Sequence, residues 1–202
     1  MMFYHRSERD PRVVAAFPGS FHPITVAHIA VARAALRVAD EVVFVMPEEL
    51  PHKQYEEVGL ASRMALVHRV VEAEPRFSAA VNTGGLFIEI ARECRVAYGP
   101  EADIYVLCGT DAAERIVNWD YGVVASFERM LDEFQMLVAA RGGEYHPPAQ
   151  LAGRIHPLPM DVDWSEVSAT DVRRRLIAGE DWKHLVPEAI HEHVAQLYGY
   201  GA

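Results

Sequence analysis

Short apolar segments alternate with longer segments of helical pattern along this chain, and this alternation constrains its fold more than any other feature. The apolar segments lie at 12–17, 41–46, 104–109 and 134–140, and a shorter one follows at 154–158. They are apolar almost throughout, rather than at every second position. Such strands are typical of a sheet that is covered on both faces.

Segments of helical pattern separate these predicted strands. Residues 26–39 form a predicted helix with little polar surface, and residues 60–73 form an amphipathic one. Strands that alternate with helices indicate βαβ units and therefore a parallel sheet. The sequence thus predicts a doubly wound α/β fold with a C-terminal helical segment. Ligands of such folds bind at the carboxyl ends of the strands.

The chain of 202 residues fits one domain. We expect an α/β core over 12–160 and a helical part over 161–202. That part contains two predicted helices. The first ends near Gly179, and Pro187 is expected in the first turn of the second.

Charge and cysteine content narrow the classes of function. The 19 basic and 29 acidic residues give a net charge of −10, which argues against a general nucleic-acid binder. No apolar stretch approaches the 18 residues that a membrane span requires, and the N-terminus lacks the apolar segment of a signal peptide. Cys94 and Cys108 lack the spacing of a metal site. We therefore expect a cytoplasmic protein, and the sequence leaves a homo-oligomer open.

The segment after the first predicted strand, FPGSFHPITVAHIA, contains the first candidate site. Gly19 permits a close approach of a ligand to the backbone, and Pro23 stiffens the chain toward a helix that starts near Thr25. His28 follows three residues later and lies on the same face of the first turn. A helix N-terminus with a hydroxyl and an imidazole suits an anion. The alternative is that Thr25 is only an N-cap and His28 a hydrogen-bonded core residue.

A second candidate site lies in VSATDVRRRL near the C-terminus. Ser168 or Thr170 can cap a helix there, and Asp171 in its first turn complements the helix dipole. Arg173 reaches the same end, so hydroxyls, backbone N–H groups and a guanidinium could together hold a phosphate. The alternative is an ordinary capped helix with a solvated basic face.

Both segments resemble the signatures of the nucleotidylyltransferase superfamily. The first resembles Gly-x-Phe-Asp-Pro-x-(His/Thr)-x-Gly-His, and the second resembles Ser-Ser/Thr-Thr-x-x-Arg. The first differs at two positions, since His22 stands at the place of the Asp and Ala27 at that of the second Gly. The resemblance implies a Rossmann-like nucleotidylyltransferase fold.

The intervening segments resemble the nicotinate-nucleotide adenylyltransferase branch, so that the resemblance spans roughly residues 12–198. MPEELPHKQ is similar to its Pro-x-x-x-x-His-Lys loop, LCGTDAAERIVNWDYG to its Gly-x-Asp…Trp segment, and LVAARGG to its Arg-Pro-Gly segment. NTGGLF keeps Thr83 of that branch's Tyr-Thr-x-x-Thr-Leu but has Leu86 at the second Thr. The first loop by itself is closer to phosphopantetheine adenylyltransferase.

The resemblance implies transfer of AMP from ATP to nicotinate or nicotinamide mononucleotide in NAD biosynthesis, with release of pyrophosphate. Catalysis would fall to His28, Thr25, Lys53 and Arg173. The residues implied for ATP and phosphate binding are Gly19, Ser20, Phe21, Thr25, His28, Gly109, Asp111, Ser168, Thr170 and Arg173. Those implied for the acceptor are Lys53, Thr83, Trp119 and Arg141.

Mg²⁺ would bind mainly through the ATP phosphates, without a metal site made by the protein. Three alternatives remain at this point. The first is a phosphopantetheine-type or other nucleotidylyltransferase, and the second is a non-catalytic nucleotide-binding homologue. A hydrolase is the third, although the Gly-x-Ser-x-Gly elbow is missing from the sequence.

Overall fold

The computed structural model describes residues 1–48, 58–117, 127–140 and 145–199. Within these ranges seven strands form one sheet, in the order β1-β4-β3-β2-β5-β6-β7. The strands are β1 (Met2–His5), β2 (Val13–Pro18), β3 (Glu41–Pro47), β4 (Phe77–Asn82), β5 (Asp103–Gly109), β6 (Gln135–Ala139) and β7 (Ile155–Leu158).

The sheet is parallel except at one edge. Strands β2 to β7 pair in parallel, whereas β1 runs antiparallel to β4. From β2 the chain winds outward through β3 and β4, and then returns to the other side of β2 with β5. Strand order therefore reverses between β2 and β5, which is where doubly wound folds bind ligands. The predicted fold class is confirmed.

Seven α-helices occur in the described ranges, and they cover both faces of the sheet. They are α1 (Val26–Ala35), α2 (Leu60–Val71), α3 (Phe87–Tyr98), α4 (Thr110–Val117), α5 (Phe127–Met130), α6 (Ala169–Ile177) and α7 (His191–Tyr198). One apolar core joins the sheet to α1, α2, α6 and α7, and a second core joins the other face to α3, α4 and α5. None of the helices in these ranges is long and apolar enough to cross a membrane.

Two boundaries differ from the prediction. The helix predicted over 26–39 ends at Ala35, because the next hydrogen bonds span three residues instead of four. Arg37 N–H donates to the Ala34 carbonyl and Val38 N–H to the Ala35 carbonyl. Pro187 precedes the last helix instead of lying in its first turn. It is extended, with ψ 139°, and is followed by a 3₁₀ turn over Glu188–Ile190.

Strand β1 was not predicted. Its residues alternate between exposed and half-buried positions in a polar N-terminal segment, which is typical of an edge strand. Its pairing with β4 places residues before position 12 in the sheet.

Candidate active site

The first loop leads from the carboxyl end of β2 into α1, and a reciprocal pair of hydrogen bonds closes it. Thr25 is the N-cap, and its hydroxyl accepts from the His28 backbone N–H at 3.5 Å. The His28 ring reaches back, and its Nδ1 accepts from the Thr25 backbone N–H at 3.0 Å. This is a capping box in which an imidazole replaces the usual carboxylate. It fixes the ring at the N-terminus of the helix.

The backbone bond at Nδ1 favours one tautomer of His28, and the Thr25 hydroxyl lies 2.8 Å from the same nitrogen. A backbone N–H can only donate, so Nδ1 must be unprotonated to accept from Thr25. The proton of the neutral ring therefore lies on Nε2, on the other side of the imidazole. His28 thus presents an N–H donor at a helix N-terminus, where the helix dipole also favours negative charge.

The interior of the loop is built around Phe21. Its side chain is 1% exposed, its φ is +41°, and its ring meets His28 edge-on at 5.3 Å between centroids. A Cβ added to Gly19 would lie 2.7 Å from the Phe21 ring. Glycine is therefore required here so that the loop can close over the phenyl ring. Phe21 contributes packing to this loop, and its side chain is buried.

Two arginines from distant helices hold the carbonyl groups of the loop. Arg173 of α6 donates to the His22 carbonyl and, at 3.2 Å, to that of Ala169. Arg63 of α2 is 5% exposed and donates to the Ser20 carbonyl at 2.6 Å. Guanidinium groups suit this role because they present several donors in a rigid plane.

Arg63 was missed in the sequence analysis, although a signal was present. It lies three residues after Leu60 and four before Val67, so it interrupts the apolar face of α2. A charged residue on a buried helix face needs partners, and here they are the Ser20 carbonyl and, at 3.1 Å, the Val58 carbonyl.

The second motif begins α6. Ser168 is its N-cap and accepts from the Asp171 N–H at 3.0 Å. Asp171 in turn accepts from Arg175 at 2.6 Å and from Arg174 at 2.8 Å, and these bonds lower the pKa of its carboxyl. Arg173 instead points toward the first loop. The structure therefore brings the two motifs together through Arg173.

A pocket opens beside this junction, above the carboxyl ends of β2, β5 and β6. The first turns of α1 form one wall, and the chain after β7 forms another. Its lining residues are Phe17, Thr25, Ala27, His28, Val31, Gly109, Ala139, Ala140, Met160, Val162 and Trp164.

Comparison with known proteins identifies the family of this chain. Residues 16–175 match the cytidylyltransferase-like family. The chain belongs to the cytidylyltransferase-like family. The predicted resemblance to nucleotidylyltransferases is therefore confirmed.

Similar proteins include probable nicotinate-nucleotide adenylyltransferases. That of Moorella thermoacetica is 27% identical over 199 residues, which cover 91% of this chain and 89% of the relative. That of one Thermus thermophilus strain is 28% identical, with 90% and 95% covered. A solved structure, Plasmodium falciparum nicotinic acid mononucleotide adenylyltransferase complexed with NaAD, has a TM-score of 0.68 at 15% identity, and 92% and 95% of the two chains are covered. At 15% identity, this last comparison shows that the two proteins have a similar fold.

Several other site residues that were predicted for this cytidylyltransferase-like chain do not line the pocket. Asp111 is exposed in the first turn of α4, Thr83 is exposed after β4, and Thr170 is exposed at the start of α6. None of these three side chains lines the pocket. Lys53, Trp119 and Arg141 lie outside the described residues.

The first signature departs from the family at two positions, and one of them, His22, lies inside the protein. His22 is 5% exposed, and its ring meets Tyr198 of α7 at 5.0 Å between centroids. The imidazole does not line the pocket. Where the family pattern has an Asp, this chain therefore places an imidazole ring against α7.

Proposed function

We propose that this protein transfers AMP from ATP to nicotinate mononucleotide and releases pyrophosphate, a step of NAD biosynthesis. One observation carries the proposal: the Thr25–His28 capping box fixes a histidine at a helix N-terminus that lines a pocket, and Arg173 brings the second motif to the same loop. The printed names of the similar proteins support nicotinate mononucleotide as the acceptor.

The reaction needs no covalent intermediate. A phosphate oxygen of the mononucleotide attacks the α-phosphorus of ATP in line. The bond from that phosphorus to the oxygen bridging to the β-phosphorus breaks, and pyrophosphate leaves with the electron pair. Catalysis then consists of positioning the two phosphates and stabilising charge on the phosphoryl oxygens.

On the ATP side, His28 donates from Nε2 to an α-phosphate oxygen as negative charge develops there. Thr25 holds the ring in that orientation through its N–H. Ser168, Thr170 and Arg173 bind the β- and γ-phosphates. Arg173 can bind a phosphate while it keeps its carbonyl partners, since a guanidinium has five donor hydrogens.

The rest of the ATP site is formed by loop backbone and strand ends. The backbone of Gly19, Ser20 and Phe21 approaches the phosphates. Gly109 lets the nucleotide approach the end of β5, and Asp111 contacts a ribose.

The acceptor lies at the carboxyl ends of the strands, beside the ATP. Lys53 neutralises its phosphate, and Thr83, Trp119 and Arg141 contact the rest of the molecule. Leu86, which is 54% exposed at the start of α3, supplies an apolar surface there.

Mg²⁺ fits this site only as an ion carried by the substrate. Among the described residues, no three His, Cys, Asp or Glu side chains lie close enough together to hold a metal. The phosphate oxygens of ATP are then its principal ligands, which is common for this ion. When bound, Mg²⁺ neutralises charge on those phosphates.

The test is pyrophosphate release from ATP and Mg²⁺ with nicotinate mononucleotide, nicotinamide mononucleotide and phosphopantetheine as separate acceptors. We expect release with nicotinate mononucleotide, and its loss in His28→Ala. His68→Ala is the matched control, because His68 lies on α2 against His5 of β1, away from the pocket.

The alternatives give different results. Release with phosphopantetheine alone would assign the chain to the other acceptor class. No release with any acceptor, from folded protein that binds ATP, would overturn the proposal in favour of a binding role.

A further inference from the structure

A short segment after β7 covers the pocket, and we call residues 160–164 the strap. Three of its side chains line the pocket, namely Met160, Val162 and Trp164. They occur at every second position of the segment, which bends at 161–162. Asp161 and Asp163, between them, are exposed. Met160, Val162 and Trp164 thus border the pocket, Val162 while still 55% exposed, and the two aspartates face solvent.

The strap is tied to the helix that carries His28. Asp161 accepts two hydrogen bonds from Arg37, at 2.9 and 3.1 Å, and Arg37 also donates to the Pro159 carbonyl. Arg37 follows α1 directly, and the first turn of α1 carries Thr25 and His28. The ion pair thus holds the strap against the end of α1, and Thr25 and His28 at the other end of that helix also line the pocket.

The floor of the pocket is built from small residues. Gly109 and Ala139 are paired neighbours at the carboxyl ends of β5 and β6, and Ala27 and Ala140 lie beside them. Such a floor leaves a flat space below the strap. Trp164 is the largest side chain of the strap and is half-buried. Its indole offers a broad apolar surface on which an aromatic ring can stack.

The polar groups of the pocket are concentrated at one end. Thr25 and His28 are the polar side chains among its lining residues, and the walls, the floor and the strap are otherwise apolar. A ligand that fits has a flat aromatic ring and, a short distance away, a phosphate. A nucleotide meets both requirements.

We infer that Trp164 stacks on the base of bound ATP and that the strap makes the affinity of this protein for nucleotides depend on the base. This inference rests on the proposed function for the identity of the nucleotide. Trp164 is then a specificity-determining residue, whereas the phosphates are held by the loop and by α6.

The test compares ATP with tripolyphosphate, which has the phosphates but no base. Binding of each is measured by calorimetry without acceptor, for the wild type, Trp164→Leu and Trp164→Phe. Tyr4→Leu is the matched control, because it replaces an aromatic residue that is 45% exposed on β1. Stacking of a base on an aromatic side chain predicts that Trp164→Leu weakens ATP binding about tenfold.

We expect tripolyphosphate affinity to stay within about twofold in every variant, and Trp164→Phe to keep ATP affinity within about threefold, because a phenyl ring still stacks. ATP should quench the tryptophan fluorescence of the wild type, and most of this quenching should be lost in Trp164→Phe. An equal loss of ATP and tripolyphosphate binding in Trp164→Leu, or no change in either, would overturn the inference.

This experiment separates the inference from the proposed function. If Trp164 governs ATP affinity but no acceptor yields pyrophosphate, the proposed reaction fails and the inference stands. If pyrophosphate is released and Trp164→Leu binds ATP normally, the inference fails and the reaction stands.

Discussion

The Arg173 guanidinium donates a hydrogen bond to the carbonyl oxygen of His22, 151 positions earlier in the chain. This bond ties α6 to the loop that opens α1. The two candidate phosphate-binding motifs therefore form one unit, and a change at Arg173 acts on both.

Arg173→Lys keeps the positive charge but loses the planar set of donors. A single ammonium cannot serve the His22 and Ala169 carbonyls and a phosphate in the same geometry. We expect kcat/KM for ATP to fall about 10- to 100-fold, since hydrogen bonds to charged groups contribute roughly 1.5–3 kcal/mol. Arg174→Lys is the control, because Arg174 is paired with Asp171 and Glu180 on an exposed surface. Equal kinetics for both variants would remove Arg173 from the site.

His28→Ala removes the N–H donor that the capping box orients. We expect kcat to fall by roughly 10²–10³, as is typical when one preorganised donor to a developing anion is lost. Steady-state rates of pyrophosphate release, together with circular dichroism to check folding, measure this effect. A folded variant with wild-type turnover would contradict the assigned role.

Gly19→Ala places a Cβ within 2.7 Å of the Phe21 ring, which is buried and cannot move away freely. We expect a loss of about 1–3 kcal/mol in the free energy of unfolding, the usual cost of overpacking. Urea denaturation measures the loss. Gly153→Ala is the control, since a Cβ at Gly153 meets no atom within 4 Å. Equal stability of the two variants would show that the loop adapts.

The buried carboxyl of Glu41 should make the free energy of unfolding depend on pH. Its carboxyl is fully buried at the start of β3, where Ser78 and Tyr98 each donate to Oε1 at 2.5 Å. Burial raises the pKa of this carboxyl, although these two bonds and the nearby Arg6 charge act in the opposite direction.

A raised pKa means that the folded state binds a proton more tightly than the unfolded state does. The stability contribution of Glu41 therefore falls as the pH rises from about 4.5 through the folded pKa. Glu41→Gln cannot titrate, so its stability relative to the wild type should increase over that interval. Urea titrations at several pH values, with exposed Glu166→Gln as the control, measure the difference. A difference that stays constant with pH would contradict the raised pKa.

Both cysteines should be unreactive in the folded protein. Burial raises the pKa of the Cys94 and Cys108 thiols, each to about 12, so the reactive thiolate is scarce at pH 8. An aromatic disulfide reagent should label neither residue in the native state within minutes, and both in urea. Rapid labelling of the native protein would contradict the described burial.

Features that depend on neighbouring residues were predictable from the sequence. Most buried strands were recognisable because they are apolar along nearly their whole length, and the parallel sheet followed from their alternation with helices. Strand β4 is also buried throughout but was not predicted, because Ser78 and Asn82 interrupt its apolar pattern. Thr25 and His28 were also predictable as a pair, because a spacing of three residues places them in one helical turn. Strand β1 escaped prediction because an edge strand buries too little surface to leave a continuous apolar pattern.

Features that depend on distant residues required the tertiary structure. The buried charge of Arg63 is tolerated because two carbonyls lie beside it, that of nearby Val58 and that of Ser20, 43 positions away. Trp164 belongs to the pocket because β7 delivers the strap above β5 and β6, and its own neighbours in sequence do not indicate this. Local spacing thus indicated most of the strands, the helices α1, α2, α6 and α7, and the two helix N-termini. The connections between the strands decided which of these elements meet, because hydrogen bonds and packing act through space rather than along the sequence.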